Sequence, residues 1–191
     1  MTHFQTKKHG YSDDEVKSVL QKEIRRGNEE DAMYYALEIA HEGKPSFGWL
    51  RNRLKIICYE DIGLANPDVV MQVSKAIDDM DYLYQKNNDE WQMVLGHIIL
   101  LMCRSGKSRI VDHFKESSLD TWHNQSKQIS DYANDMHTTS GNKMGRRKGL
   151  KKGIDHFIKH GEKSNNYIAV NGALVYQVKA HDYWYNRKKW K

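Results

Sequence analysis

Apolar residues recur at intervals of three and four along the first 122 positions, and each run begins and ends on residues that start and stop helices. Val16, Val19, Leu20 and Ile24 follow Ser12, which forms a capping box with Glu15, and Gly27 closes the run. Asn28 is placed to cap a second helix whose acidic first turn, Glu29, Glu30 and Asp31, suits the positive end of the dipole; its stripe is Ala32, Met33, Ala36, Leu37 and Ala40, and Gly43 ends it. Pro45 and Ser46 open a third, with Phe47, Leu50, Leu54, Ile57 and Cys58 on one side and Arg51, Arg53 and Lys55 elsewhere, up to Gly63. Asn66 caps a fourth with Pro67 at its first position and Val70, Val73, Ile77, Met80 and Tyr84 at helical spacing. The fifth, Glu90 to Arg104, is apolar nearly all round and is expected at the centre; a sixth covers roughly Ser108 to Trp122.

Past Trp122 the apolar period is lost, and Gly141, Gly145, Gly149, Gly153 and Gly161 argue against a long helix. Ile168, Val170, Leu174, Tyr176 and Val178 alternate, which predicts a short hairpin near the C-terminus. The expected organisation is a tail over residues 1–11, a helical domain over 12–122 and a less regular, basic segment over 123–191. The fold class is all-α, a bundle of about six helices followed by that segment.

Charge sharpens this division. Residues 142–191 hold 13 Lys/Arg against 3 Asp/Glu, which leaves 17 against 22 for residues 1–141. An acidic body with a basic end suggests an appendage that binds a polyanion, because cations that replace condensed counterions gain affinity for nucleic acid. Cys58 and Cys103 are isolated, with no zinc or redox spacing, and a cytoplasmic setting is expected. The first ten residues lack an apolar core, and the run Val94 to Cys103 is broken by Gly96 and His97, so neither a signal peptide nor a membrane span is expected.

The segments KSVLQKEIRRGNEEDAMYYALEIAHEG and RLKIICYEDIGLANP carry a resemblance. The turn Arg26-Gly27 between two helices, then Glu60-Asp61-Ile62-Gly63-Leu64-Ala65 at the end of a third, then Pro67, resembles the region that follows the ATPase core in the RarA (MgsA) family, the bacterial relatives of the eukaryotic Werner-helicase-interacting protein. Arg104 to Ser108 is similar in place to a "PKS" turn of the family, and Ala180-His181-Asp182-Tyr183 to its "PHDY" stretch, whereas residues 123–180 depart from the pattern. The resemblance implies a clamp-loader-collar-like helical domain that assembles such proteins as tetramers at stalled or damaged replication forks. In that family an AAA+ module precedes the region, and here the resemblance starts almost at the N-terminus. Gly106-Lys107-Ser108 looks like the end of a Walker A loop, but the first glycine such a loop needs falls on Leu101. ATP hydrolysis is therefore not expected.

The remaining candidates are weighed by chemistry. Glu60 and Asp61 are adjacent and diverge by about 100° on a helix, so the expectation is structural: one carboxylate ties down the loop Gly63 to Asn66 or caps the next helix. Asp131, Asp135, His137, Asp155, His156 and His160 invite a metal reading, yet no HExxH or cysteine ligand supports it, and no metal or other cofactor is expected. Lys143, Arg146, Arg147, Lys148, Lys151 and Lys152, with glycines at 145, 149 and 153, are suited to follow phosphates without reading sequence; the alternative is a flexible solubilising loop. Tyr183, Trp184, Tyr185 and Trp190 either stack on unpaired bases, with Arg187 and Lys188 on the backbone, or pack against the body. The leading expectation is a non-catalytic replication or repair accessory protein, self-associating and binding single-stranded or forked DNA or a fork partner, of phage or mobile-element type. The alternatives are a metal-dependent nuclease or hydrolase built on the His/Asp cluster, and an interaction module that inhibits a host assembly.

Overall fold

The protein is described by a computed structural model over residues 5–165 and 173–186. The chain divides into two compact units, with the boundary between Asn124 and Gln125. Every α, 3-10 or π element among the described residues is helical, and an isolated bridge pairs Gln5 with Ser12.

The first unit contains α1 (Asp13–Arg26), α2 (Glu29–Ala40), α3 (Lys44–Ile57), α4 (Pro67–Gln85), α5 (Trp91–Arg104) and α6 (Ile110–Asn124). Glu15 accepts from the Ser12 N–H at 3.3 Å and closes the start of α1. At its end Gly27 sits at φ 82°, and the Asn28 N–H reaches Glu23 O at 3.0 Å, a Schellman closure. The Asn28 side chain turns back to Glu23 instead of capping α2, which corrects the expected N-cap. Asn66 does cap α4, accepting from the Val69 N–H at 3.3 Å.

The residues the periodicity singles out meet in one core: Leu20, Ile24, Ala32, Ala36, Leu50, Leu54, Ile57, Ile77 and Met80 are fully buried. Phe47 stacks on Tyr84 at 3.6 Å, and Trp91 meets both rings edge-on, so α3, α4 and α5 are pinned together at one end by aromatic packing. Helix α5 touches α1, α2 and α4. It is not enclosed on all sides, however, because Met93, His97 and Leu100 face outward. Between α3 and α4 the chain widens into a π-turn (Cys58–Ile62) and then tightens into a 3-10 turn (Gly63–Ala65). Helix α6 packs on these two turns and buries none of its residues.

The second unit is built from short pieces: a 3-10 turn (Asp131–Ala133), α7 (Thr139–Lys143), α8 (Lys151–His156), a π-turn (Phe157–Gly161) and α9 (Ala173–Asn186). The glycines limit these pieces by close packing. A Cβ at Gly141 would lie 1.7 Å from Asp135 O, and one at Gly153 would lie 2.6 Å from Arg147 O. Leu174, Tyr176 and Val178 lie in helix α9, which overturns the hairpin expected there; Ile168 and Val170 lie outside the described residues. No helix among the described residues is long and apolar enough to cross a membrane.

Candidate nucleic-acid interface

Two clusters of charge dominate the structure, and they differ in whether their charges are paired. The first surrounds Asp61, a fully buried carboxylate. It accepts from Gln21 Nε2 at 3.0 Å and Arg25 Nε at 2.7 Å, and Arg109 Nε stands 3.8 Å away. Its backbone carbonyl accepts the Ser108 N–H at 2.8 Å, which ties the approach to α6 to the π-turn. Glu60 reaches the same two arginines, at 3.6 Å from Arg25 and 3.4 Å from Arg109. The two carboxylates therefore converge, against the expected divergence, because the wide guanidinium groups bridge the angle between them. Neither caps α4; Asp61 ties α1 to the π-turn and to the entry of α6.

The glycines of this motif are dictated by geometry. A Cβ on Gly27 would stand 3.2 Å from the Cys103 carbonyl, and one on Gly63, at φ 45°, would stand 3.2 Å from Val111 Cγ2. Arg26 is largely exposed and pairs weakly with Glu23 at 3.8 Å, while Pro67 opens α4. Lys107 donates to the carbonyls of Met102, Cys103 and Ser105 at 2.8, 3.0 and 2.7 Å, so all three ammonium protons close the end of α5. Burial pulls its pKa down. The Gly106-Lys107-Ser108 sequence is thus a helix terminus, with no loop of free amides around a phosphate.

The second cluster is the turn from α7 into α8. Thr138 caps α7, accepting from the Gly141 N–H at 3.0 Å, and Gly145 and Gly149 bend the chain through φ 78° and 80°. Arg146 points into the unit: it donates to Asn134 O at 2.7 Å and Asp131 O at 3.2 Å and pairs with the Asp131 carboxylate at 2.8 Å. Lys152 donates to Met144 O at 2.9 Å and staples the turn. Lys143, Arg147, Lys148 and Lys151 are exposed, and their side chains make no hydrogen bond or ion pair with other described residues. Of the six cations expected on phosphates in this turn, two are therefore scaffold and four are displayed by it. Arg187, Lys188 and Trp190 lie outside the described residues.

The acidic groups nearby are occupied. Arg146, and then His156 at 3.2 Å, hold the Asp131 carboxyl below its usual range. Burial pushes the Asp135 carboxyl up, but the His137 N–H at 2.9 Å and its ring at 3.2 Å outweigh that and leave it lowered. Asp155 accepts from the Tyr185 hydroxyl at 2.6 Å. His160 is lowered by burial and by the neighbouring His156, whose ring centroid is 5.1 Å away. Among the described residues no three of His, Cys, Asp and Glu are placed to share a metal ion.

Beside the basic turn is a cavity of about 310 Å³. Met136 and Ile154, both buried, line it together with Phe157, Trp184 and His137. The rings of Phe157 and Trp184 are 5.7 Å apart at 68°, and His137 meets Phe157 at 5.3 Å and 77°. Lys148 and Gly149 stand on one side, and Glu162, which binds His181 at 2.8 Å, on another.

A family model described as the MgsA AAA+ ATPase C terminal matches residues 27–190. The chain belongs to that family. No curated protein matches it. The family match covers both units, including residues 123–180, where the residue pattern shows no likeness to RarA (MgsA). It begins at Gly27, so the Gln21 and Arg25 donors to Asp61 stand just before the part matched to the MgsA C terminal. Sequence reading missed Met136, Ile154 and Phe157 as cavity residues, since single apolar positions among polar ones carry no period, and missed Glu162, a lone acid outside any motif. A usable signal existed for α9: Gln177, His181, Trp184 and Tyr185 are spaced as one helical face, and all four turn toward the rest of the unit.

Proposed function

We propose that the chain is a non-catalytic accessory of DNA replication or repair, in which the second unit holds DNA phosphates through Lys143, Arg147, Lys148 and Lys151 and the first unit self-associates. The observation that carries the reading is the contrast within one turn. Arg146 and Lys152 are spent on internal carbonyls and Asp131, while the side chains of the four cations between and beside them have no partner among the described residues. A scaffold that holds positive charges in a short arc suits a polyanion, and membership in a family of AAA+ ATPase C-terminal domains supports reading that polyanion as DNA in replication. The occupation of Lys107 by three carbonyls supports the absence of ATP chemistry at that segment.

Self-association is supported by α6. Ile110, Phe114 and Trp122 are 57%, 72% and 73% exposed. Next to them an apolar cleft of about 330 Å³ is lined by Ile56, Tyr59 and Val111 with charged residues at its rim. Apolar surface of this kind on a helix with no buried residue is suited to a protein interface. By resemblance the assembly is a tetramer.

The test is a salt titration of DNA binding for the wild type and a variant with Lys143, Arg147, Lys148 and Lys151 all changed to Gln. Each lost phosphate contact flattens the slope of log affinity against log salt by about 0.7 to 0.9, so four contacts flatten it by about 3. Equal slopes would sink the DNA reading.

A further inference from the structure

The cavity beside the basic turn has no task in the reading above, which needs only surface cations. Its construction is specific. The π-turn carries Phe157 at its first position and Gly161 at its last, and a Cβ on Gly161 would stand 2.6 Å from Phe157 Cδ2. The backbone is thus laid against the ring, which fixes the ring as a wall. Trp184 comes from α9, and the helix is held in register by His181 on Glu162 and Tyr185 on Asp155. Met136 and Ile154, 8% and 3% exposed, supply apolar surface from two further segments. Four stretches of chain, at 136–137, 148–149, 154–162 and 184, therefore converge on a space lined largely by aromatic and aliphatic groups. Three residues with polar side chains also line it: Lys148, His137 and Glu162. The first is a displayed cation of the basic turn, flanked by Arg147 and by Lys151.

From this arrangement we infer that the cavity receives the heteroaromatic ring of a nucleoside phosphate, with the base against Phe157 and Trp184 and the phosphate on Lys148 and its neighbours. The inference rests on the phosphate-binding reading of the same turn. A flat ring with polar edges matches aromatic walls that carry His137 and Glu162 at the margin, and an attached anion matches the cations beside it. Base paired in a duplex cannot enter, because its faces are covered and its edge is engaged. The same chemistry is offered by an unpaired residue within a single strand and by a free mononucleotide; the single strand adds phosphates for Arg147, Lys151 and Lys143, so it is the tighter ligand.

The experiment uses the full chain, with an oligothymidylate single strand, a blunt duplex of equal length, and AMP as probes. Affinities are measured by anisotropy for the strands and by calorimetry for AMP, for the wild type and for Trp184→Leu. Loss of one base–aromatic stack weakens binding about ten-fold, so the variant is expected to lose about ten-fold more affinity for the single strand than for the duplex. A single strand carrying 2-aminopurine read in the wild-type protein gives a signal that needs no variant: the base is quenched on binding as it stacks, and the same base inside the duplex is not. Equal losses on both DNAs, or unquenched 2-aminopurine on bound single strand, overturn the inference and leave the phosphate reading standing. AMP binding that Trp184→Leu abolishes, in a protein that binds neither DNA, sinks the DNA reading and keeps the base site. No binding of any probe overturns both.

Discussion

Replacing Asp61 by Ala is expected to destabilise the first unit by about 3 kcal/mol, through the charges it leaves behind. The carboxylate is fully buried and is the meeting point of Gln21, Arg25 and Arg109. Removing one member of a buried ion pair costs about 3–5 kcal/mol, mostly because the other is left buried without a partner. Arg25 and Arg109 are 33% and 38% exposed, so water recovers part of that loss and the lower end of the range applies. Gln21 is the less forgiving partner: it is buried, and its Nε2 has only Asp61 to donate to among the described residues. At about 2–4 °C per kcal/mol for a chain of this size, the melting temperature should fall by about 6–12 °C. Circular dichroism at 222 nm follows the helices, and Glu60→Gln serves as the control. Its contacts are longer and its carboxylate is partly exposed, so the expected cost is below about 1 kcal/mol. An Asp61→Ala protein that melts within about 1 °C of the wild type would refute the assignment of Asp61 as the tie between α1, the π-turn and α6.

Four further outcomes follow from the same geometry. Arg147→Gln should flatten the salt slope of DNA binding by about 0.7 to 0.9 without moving the melting temperature, whereas Arg146→Gln should lower the melting temperature by unhooking Asp131 and Asn134; identical behaviour of the two would show that the split between scaffold and display is wrong. Gly27→Ala should cost about 1–2 kcal/mol in urea unfolding, since it places a side chain at φ 82° and against the Cys103 carbonyl. Phe114→Asp with Trp122→Asp should reduce the mass seen by light scattering, and a wild type that stays monomeric at tens of micromolar would contradict self-association. Glu38 gains more from Thr6 and His9 than burial costs it, so its folded pKa lies below the ordinary 4.5; its stabilisation is present above that value and is lost as pH falls through the lower folded value, and Glu38→Gln should remove this part of the acid dependence of the melting temperature.

The helices of the first unit were legible because each combines a long period with a stop. Val16 to Ile24 ends at a glycine that must be left-handed, and Val70 to Met80 begins at Asn-Pro, so local and long-range preferences agree. The π-turn was not legible: Cys58 and Ile62 are buried as a continued helix would have them, and the arginines that bridge Glu60 and Asp61, Arg25 and Arg109, lie far from them in sequence. Asn28 was misread because its side chain has two nearby uses, and the carboxylate of Glu23 outcompeted the amide of α2. The hairpin expected near the C-terminus failed for a similar reason. Leu174, Tyr176 and Val178 alternate like a strand, but Gln177, His181 and Tyr185 supply a polar face at four-residue spacing, and their acceptors Glu162 and Asp155 lie 15 to 30 residues away, out of reach of a local pattern.

Charge balance explains why the basic turn is displayed at all. The second unit, residues 125–191, has 14 Lys/Arg and only 5 Asp/Glu, and four of those acids are already committed. Asp131 serves Arg146 and His156, Asp135 serves His137, Asp155 serves Tyr185 and Glu162 serves His181. Apart from the local Asp135–His137 bond, each of these joins pieces of a unit built mostly of short helices, so those carboxylates cannot be released to neutralise Lys143, Arg147, Lys148 and Lys151 without loosening the scaffold. Mutual repulsion among the four cations is then an unavoidable consequence of how the unit holds itself together, and it is relieved only by an anion from outside. In the first unit the opposite holds: Arg25, Arg104 and Arg109 each find a carboxylate, at 2.7 Å for Asp61 and Glu29 and 3.4 Å for Glu60. Adding one acid to the basic turn, as in Gly145→Asp, would strain the φ of 78° as well as change the charge, so the cleaner perturbation is Met144→Glu, which is exposed and follows Lys143 directly. An internal anion there should compete with DNA phosphate and weaken binding at low salt far more than at high salt, since screening removes the competition. Weakening that is independent of salt would mean that Met144 touches the nucleic acid by shape and that charge is not what the turn provides.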